Sequence, residues 1–205
     1  MTVAYPRALP CGVLTTSFKI ARGMSRNLIH SGVTQVREFA EPRWVASFTY
    51  APMKRAGFQD IEAWVDSLRG GLMDFYAHHP LRPFPVSYPF FPALGWNGIA
   101  NVTSIGVNTI GVAGMLANFT LKPGDMIGLI EGARRGLFRV IEPHVGASGL
   151  LTIEPRIVPG VFTGATICNV ARPVCVMTID VDSISGEQTA GQAAPFGFSA
   201  VQKVY

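Results

Sequence analysis

The segment Leu121 to Pro155, LKPGDMIGLIEGARRGLFRVIEPHVGASGLLTIEP, restricts the possible folds of this chain more than any other stretch. Its three apolar runs, Met126 to Ile130, Leu137 to Ile141 and Leu150 to Ile153, are a few residues long and rich in branched side chains, as strands are. Turn chemistry separates them. Pro123-Gly124-Asp125 joins a fixed φ to a residue free to take φ > 0, Gly132 to Gly136 makes a loop tip carrying Arg134 and Arg135, and Gly146 to Gly149 makes another turn. The pattern implies a β meander or small barrel, with nothing resembling a catalytic constellation.

The flanking segments extend the β grammar. Val13 to Ile20 reads as a strand, and so does Trp44 to Tyr50, where Trp44, Ala46, Phe48 and Tyr50 share one face and Val45, Ser47 and Thr49 the other. Phe58 to Leu68 is the one convincing helix: Phe58, Ile61, Val65 and Leu68 fall on a single stripe, Gln59, Glu62 and Asp66 face outward, and Gly70-Gly71 ends it. A short run, Leu72 to Tyr76, precedes a Pro-rich stretch over 80–92. Val174 to Val181 alternates again as a half-buried strand. Ser183 to Pro195 is small, polar and Gly-containing, so it reads as a flexible connection or arm, and Phe196 to Tyr205 as a last strand. The expected organisation is a discontinuous first domain over 1–82 and 171–205, with 83–170 inserted as a second β module.

Length and composition agree with a folded, loop-rich β protein: 205 residues with 48% hydrophobic content can fill a real core, and 22 Gly and 15 Pro supply turns. Residues 83–121 contain no Asp, Glu, Lys or Arg, yet include Tyr88, Phe90, Phe91 and Trp96. Prolines, asparagines and glycines break this stretch too often for a membrane span. It is either core with uncharged loops or, because charge depletion and aromatic enrichment mark interface centres, a surface covered by another subunit. The expected contact residues are Tyr88, Phe90, Phe91 and Trp96, the tip Arg134 and Arg135, and Phe196 and Phe198 beside the arm.

The formal charge of +4 does not organise a nucleic-acid site, since the 13 Arg and 4 Lys are scattered along the chain, with Arg134-Arg135 the only adjacent arginines. Cys11, Cys168 and Cys175 form no Cys-x-x-Cys pair, so neither a metal site nor a disulfide framework is expected. His78-His79 is the only clustered imidazole pair, and neighbours on an extended chain point apart. His144 and His30 lie in turns, and Asp180 with Asp182 offers two carboxylates without further oxygen ligands. No nucleophile elbow, phosphate-binding loop or zinc-binding helix motif is present. The expectation is a protein that is not an enzyme, with no catalytic residues, cofactor or metal. The start of the chain has no basic region followed by an apolar one, so assembly in a cytoplasm is expected.

The succession of segments resembles the minor tail proteins of long-tailed, siphovirus-type bacteriophages. Trp44-Val45-Ala46-Ser47-Phe48, a helix ending in Ser67-Leu68-Arg69-Gly70-Gly71, Phe75 and Arg82-Pro83 carry the first part of the likeness. Leu121-Lys122-Pro123-Gly124-Asp125, Leu137-Phe138-Arg139-Val140, Gly149 to Pro155 and Ala171-Arg172-Pro173 carry the rest. It is similar in particular to distal tail proteins, ring-forming components that join the tail tube to the baseplate. The resemblance implies a tube-like β sandwich with one flanking helix, an inserted small β barrel or sandwich module, and assembly as a hexameric ring around a lumen. Its implied partners are further copies of itself, the tail tube protein and the baseplate hub or tail-tip proteins, with DNA and tape measure passing through unbound, and its implied place is the virion tail tip, assembled in the bacterial host cytoplasm without a membrane. Three other readings stay open on the residues: a tail-tube or head-tail joining subunit, a carbohydrate-binding β-sandwich module using Trp96, Tyr88 and Phe91 as a stacking surface, or a hydrolase or metal-dependent enzyme with a site around His78, His79 or His144.

Overall fold

A computed structural model describes residues 4–28, 34–187 and 193–204, and the chain is mainly β with one α-helix. In chain order the first elements are β1 (Arg7–Ala8), β2 (Val13–Leu28), β3 (Thr34–Met53), α1 (Arg55–Ser67) and β4 (Phe75–Ala77). Eight strands follow: β5 (Ile99–Ile105), β6 (Thr109–Ala113), β7 (Thr120–Leu121), β8 (Met126–Glu131), β9 (Arg134–Val140), β10 (His144–Val145), β11 (Ser148–Glu154) and β12 (Ile167–Asn169). The last two are β13 (Cys175–Ser185) and β14 (Ala194–Gln202).

Hydrogen bonds join six strands in one sheet in the order β1-β4-β13-β14-β3-β2, antiparallel except for the short β1-β4 pair. The two stacked sheets of a sandwich are therefore not what holds these strands. The sheet is curled instead, because Phe18 on edge strand β2 stacks on His79, just past β4, with ring centroids 5.1 Å apart. Alternation supplies the core inside the curl: Trp44, Ala46, Phe48 and Tyr50 of β3 all point in, and Phe75, Met177, Ile179, Phe196 and Phe198 meet them from neighbouring strands. Burying such side chains is worth about 1.5–3 kcal/mol each before the entropy of ordering them is counted.

Helix α1 closes the open side of that core. Phe58, Ile61, Trp64, Val65 and Leu68 form its buried stripe, Trp64 meets Phe75 edge-on at 5.2 Å, and its indole Nε1 donates to the Ala8 carbonyl at 3.1 Å. The helix stops where the chain turns left-handed, with φ 66° at Gly70 and 89° at Gly71. A side chain at Gly71 would also lie 3.2 Å from the Ile179 carbonyl oxygen, so this turn is fixed by both conformation and space.

Six of the strands between residues 99 and 169 close into an antiparallel barrel, ordered β11-β6-β5-β12-β8-β9, with β7 and β10 paired separately. The three runs of the Leu121 to Pro155 segment are β8, β9 and β11 of this barrel, and its tightest hairpin turns at Gly132 (φ 56°) and Ala133, where Glu131 faces Arg134. The barrel fills with Val102, Ile110, Val112, Ile127, Leu129, Val140, Leu151 and Ile153. One end is plugged by aromatics from the charge-free stretch: Phe84 stacks on Phe91 at 5.5 Å, and Trp96 meets Phe119 edge-on at 5.0 Å.

Barrel and sheet share a side of β9. Leu137 belongs to the sheet core, Arg139 lies 5.0 Å over the Trp44 ring, and Trp44 Nε1 donates to the Leu137 carbonyl at 2.6 Å. Met126 of β8 reaches the same core.

Candidate contact surface

Strands β2 and β3 are far longer than the runs Val13 to Ile20 and Trp44 to Tyr50 that sequence alternation marks. The sheet supports only their inner part: β14 pairs with β3 between Met53 and Val45 and goes no further. Beyond that, residues 21–28 and 34–43 pair with each other alone, through Met24↔Glu38, Arg26↔Val36 and Leu28↔Thr34, and form a projecting two-stranded ribbon with both edges open. A lone two-stranded ribbon is marginal in water, and open edges are templates for another chain.

The ribbon is also apolar where a solvated hairpin would be polar. Met24 is 47% exposed, Val36 53% and Phe39 71%. Met24 and Val36 lie on one face by the pairing register, and Phe39 lies on the other, across Gly23. The bulge at that point is tight, since a Cβ on Gly23 would sit 2.8 Å from Ala40 Cβ and 3.0 Å from the Phe39 ring.

Charged groups fix the root of the ribbon to the barrel. Arg22 Nη2 lies 2.6 Å from Glu154 and its Nη1 3.5 Å from Glu38, while Arg156 reaches Glu41 at 2.8 Å and Glu38 at 3.5 Å. Glu154 also accepts from Asn108 Nδ2 at 2.9 Å. Each such half-exposed pair contributes well under about 1 kcal/mol, but together they restrict the angle at which the ribbon leaves the body.

The residues expected to make contacts divide into three groups. Phe91, Phe196 and Phe198 are buried inside the chain: Phe91 in the barrel plug, Phe196 edge-on to Phe58 at 5.4 Å, and Phe198 against Phe48 at 5.3 Å. This corrects the reading of them as surface: strand alternation turns the Phe196 and Phe198 rings onto the core, and Phe91, in the short helical turn Phe91–Leu94, packs among Phe84, Trp96 and Phe119. Tyr88 and Trp96 are half-buried. Tyr88 stacks on Phe119 at 4.7 Å and its hydroxyl accepts from the Thr120 amide at 2.9 Å, while Trp96 meets Phe119 edge-on at 5.0 Å, so both rings are tied to the barrel plug. Phe90, 81% exposed, is the one aromatic of the stretch that stands in solvent.

Of the loop-tip pair, Arg134 is exposed and donates to the Val161 carbonyl at 2.8 Å, whereas Arg135 turns back over Tyr76 at 5.8 Å and donates to the carbonyls of Gly132 and Arg134. Arg135 thus supports the chain's own fold. The arm expected over Ser183 to Pro195 is strand at both ends, β13 continuing to Ser185 and β14 starting at Ala194, and residues 188–192 lie outside the described residues.

His79 is held neutral, its pKa lowered to about 4 first by burial and then by Arg82 and Arg139; His78 is lowered by burial and by Arg172. Burial pushes the Cys168 thiol up to about 12 and Cys175 higher still, so both are packing groups, while Cys11 is exposed. His144 packs over Gly149, and His30 lies outside the described residues. Among the described residues no three His, Cys, Asp or Glu side chains gather as a metal site, and no helix is long and apolar enough to cross a membrane.

The ribbon left little trace in sequence. Both of its faces are exposed, so period-two contrast between apolar and polar residues, the signal that finds half-buried strands, is missing from residues 21–43. The available hint was the unbroken absence of Pro and paired turn residues from Val13 to Leu28. No protein-family model matches the chain, and no curated protein matches it in sequence.

Proposed function

We propose that this chain is a structural subunit of a long-tailed bacteriophage tail tip, forming a closed ring that joins the tail tube to the baseplate hub around a central channel. The observation that carries the reading is the ribbon: two long strands with open edges and exposed Met24, Val36 and Phe39, anchored to the body at Arg22 and Arg156. Apolar surface projected on a two-stranded element is stable when another chain covers it, and a ring offers every ribbon the same neighbour. The resemblance of Trp44 to Phe48, Ser67 to Gly71 and Leu121 to Asp125 to distal tail proteins points to the same role. In this reading the curled sheet with α1 is the tube-like domain and the barrel is the inserted module, set outside the ring.

The subunit acts by shape. It contacts the last tube ring on one face and hub or tail-tip proteins on the other, leaves a lumen for DNA and tape measure, and belongs to the virion tail tip. In this reading it needs no cofactor, and His78, His79, Cys168 and Cys175 serve packing. Light scattering coupled to size exclusion tests this: the expected mass is six times the 22.1 kDa chain, and a species that remains at the chain mass at every concentration overturns the reading.

A further inference from the structure

The two ends of the sheet differ in the balance of exposed charge that makes no ion pair among the described residues. On the ribbon, Arg26, Arg37 and Arg43 are exposed and make no ion pair among the described residues, because both carboxylates of that hairpin, Glu38 and Glu41, are taken by Arg22 and Arg156. The strands run the other way toward Met53. There β13 carries exposed Asp180 and Asp182, with Glu187 just beyond it, and none of the three is in an ion pair among the described residues. The register places this segment at the far end, since Ser185 pairs with Gly197 and Gly197 with Thr49, whereas the ribbon begins on the opposite side of Trp44. The remaining exposed acids of this region, Asp60, Glu62 and Asp66, lie on α1, whose Phe58 touches the space beside Gly186; the exposed cations Lys54, Arg55 and Arg69 flank the same helix, and with six acids against three cations the end stays net acidic.

The acidic end is also an open edge. β4 pairs with β13 only over Cys175–Met177, and the turn at Gly70-Gly71 lies beside it as far as Thr178, Ile179 and Val181, which leaves residues 182–185 without a paired strand on that side. Exposed apolar groups accompany it: Val181 is 46% exposed, Ile184 37%, and Leu72 beside the turn 81%. One copy therefore carries a basic, partly apolar ribbon at one end and an acidic, partly apolar strand edge at the other, and the two cannot meet within the same chain.

We infer that the ribbon of one copy docks on the acidic edge at residues 180–187 of the next, a head-to-tail contact between two copies of this chain. Arg26 and Arg37 meet Asp182 and Glu187, and Met24, Val36 and Phe39 cover Val181, Ile184 and Leu72. Such a contact is heterologous, so it closes into a ring when the rotation between copies allows, and charge complementarity selects the direction of docking. The inference deepens the ring reading and rests on it.

Charge reversal tests it. One variant carries Arg26→Glu and Arg37→Glu, a second Asp182→Lys and Glu187→Lys, and a third all four changes, with circular dichroism confirming that each monomer is folded. Each two-site variant is expected to raise the concentration for half-assembly at least about tenfold, and the four-site variant to return to within about threefold of the original chain. An equimolar mixture of the two defective variants is expected to assemble, because each supplies the end the other lacks. If the original chain forms rings and both two-site variants do too, or if the four-site variant is no better than either, this contact is overturned while the ring stands. An original chain that stays monomeric overturns the ring reading and this contact with it.

Discussion

Replacing Met24, Val36 and Phe39 together by Thr separates the ribbon's role in assembly from any role in folding. Thr keeps the strand preference, so the hairpin itself is retained. The three side chains are 47%, 53% and 71% exposed in the single chain, so roughly half of each still awaits cover. Full burial of such a side chain is worth about 1.5–3 kcal/mol, which leaves about 3 kcal/mol of gross apolar stabilisation per ribbon to be gained only on docking. At 1.4 kcal/mol for each factor of ten, the Thr variant is expected to weaken each subunit contact by about a hundredfold. The assay pairs a concentration series in light scattering with thermal unfolding of the dilute monomer. Assembly should shift as stated while the unfolding midpoint moves by only a few degrees, since less than about 1 kcal/mol of the chain's own packing is removed. Unchanged assembly, or a monomer destabilised by several kcal/mol, would show that these residues serve the fold and not a partner.

Two further predictions concern the body of the protein. His79 is neutral in the folded chain with a pKa of about 4 against about 6.5 when unfolded, so the unfolded state binds the extra proton first. Stability is therefore fully present above about pH 6.5 and falls by about 1–2 kcal/mol as pH drops toward 4, after allowance for the half-buried ring's exposure to solvent; His79→Phe keeps the stack on Phe18 and should flatten that part of the pH profile of thermal unfolding. Trp44→Phe removes the 2.6 Å bond to the Leu137 carbonyl and leaves that oxygen buried, so chemical denaturation should show a loss of about 2–4 kcal/mol. A loss under about 0.5 kcal/mol would mean that the sheet and barrel do not depend on this junction.

How much of this was legible depended on which side of each element faced the interior. The helix was readable because Phe58, Ile61, Val65 and Leu68 all meet one core, and its end because Gly70 and Gly71 both take positive φ. Strands β8, β9 and β11 were readable because branched runs alternate with obligatory turns. Trp64 escaped the stripe, although its ring packs between Phe75 and Phe198, since the helix presents a wider apolar face than a single row. β5 and β6 were hidden in the charge-free stretch: Asn101, Thr103 and Ser104 face out among Ala100 and Val102, and uncharged polar residues blur the contrast that marks a strand. The contact residues were the least legible part. Aromatic enrichment around Tyr88 to Trp96 is equally the composition of an interface and of a plug, and only the tertiary packing against Phe119 distinguishes them. The ribbon, which has no interior at all, was invisible to any argument from burial.

Imaging of the assembled protein by electron microscopy, viewed along its symmetry axis, tests the central claim most directly. The account predicts closed rings of six copies with an open centre, ribbons bridging adjacent copies and the barrels outside. Two-fold particles joined by the same patch on each copy, or compact particles without a central opening, would contradict it.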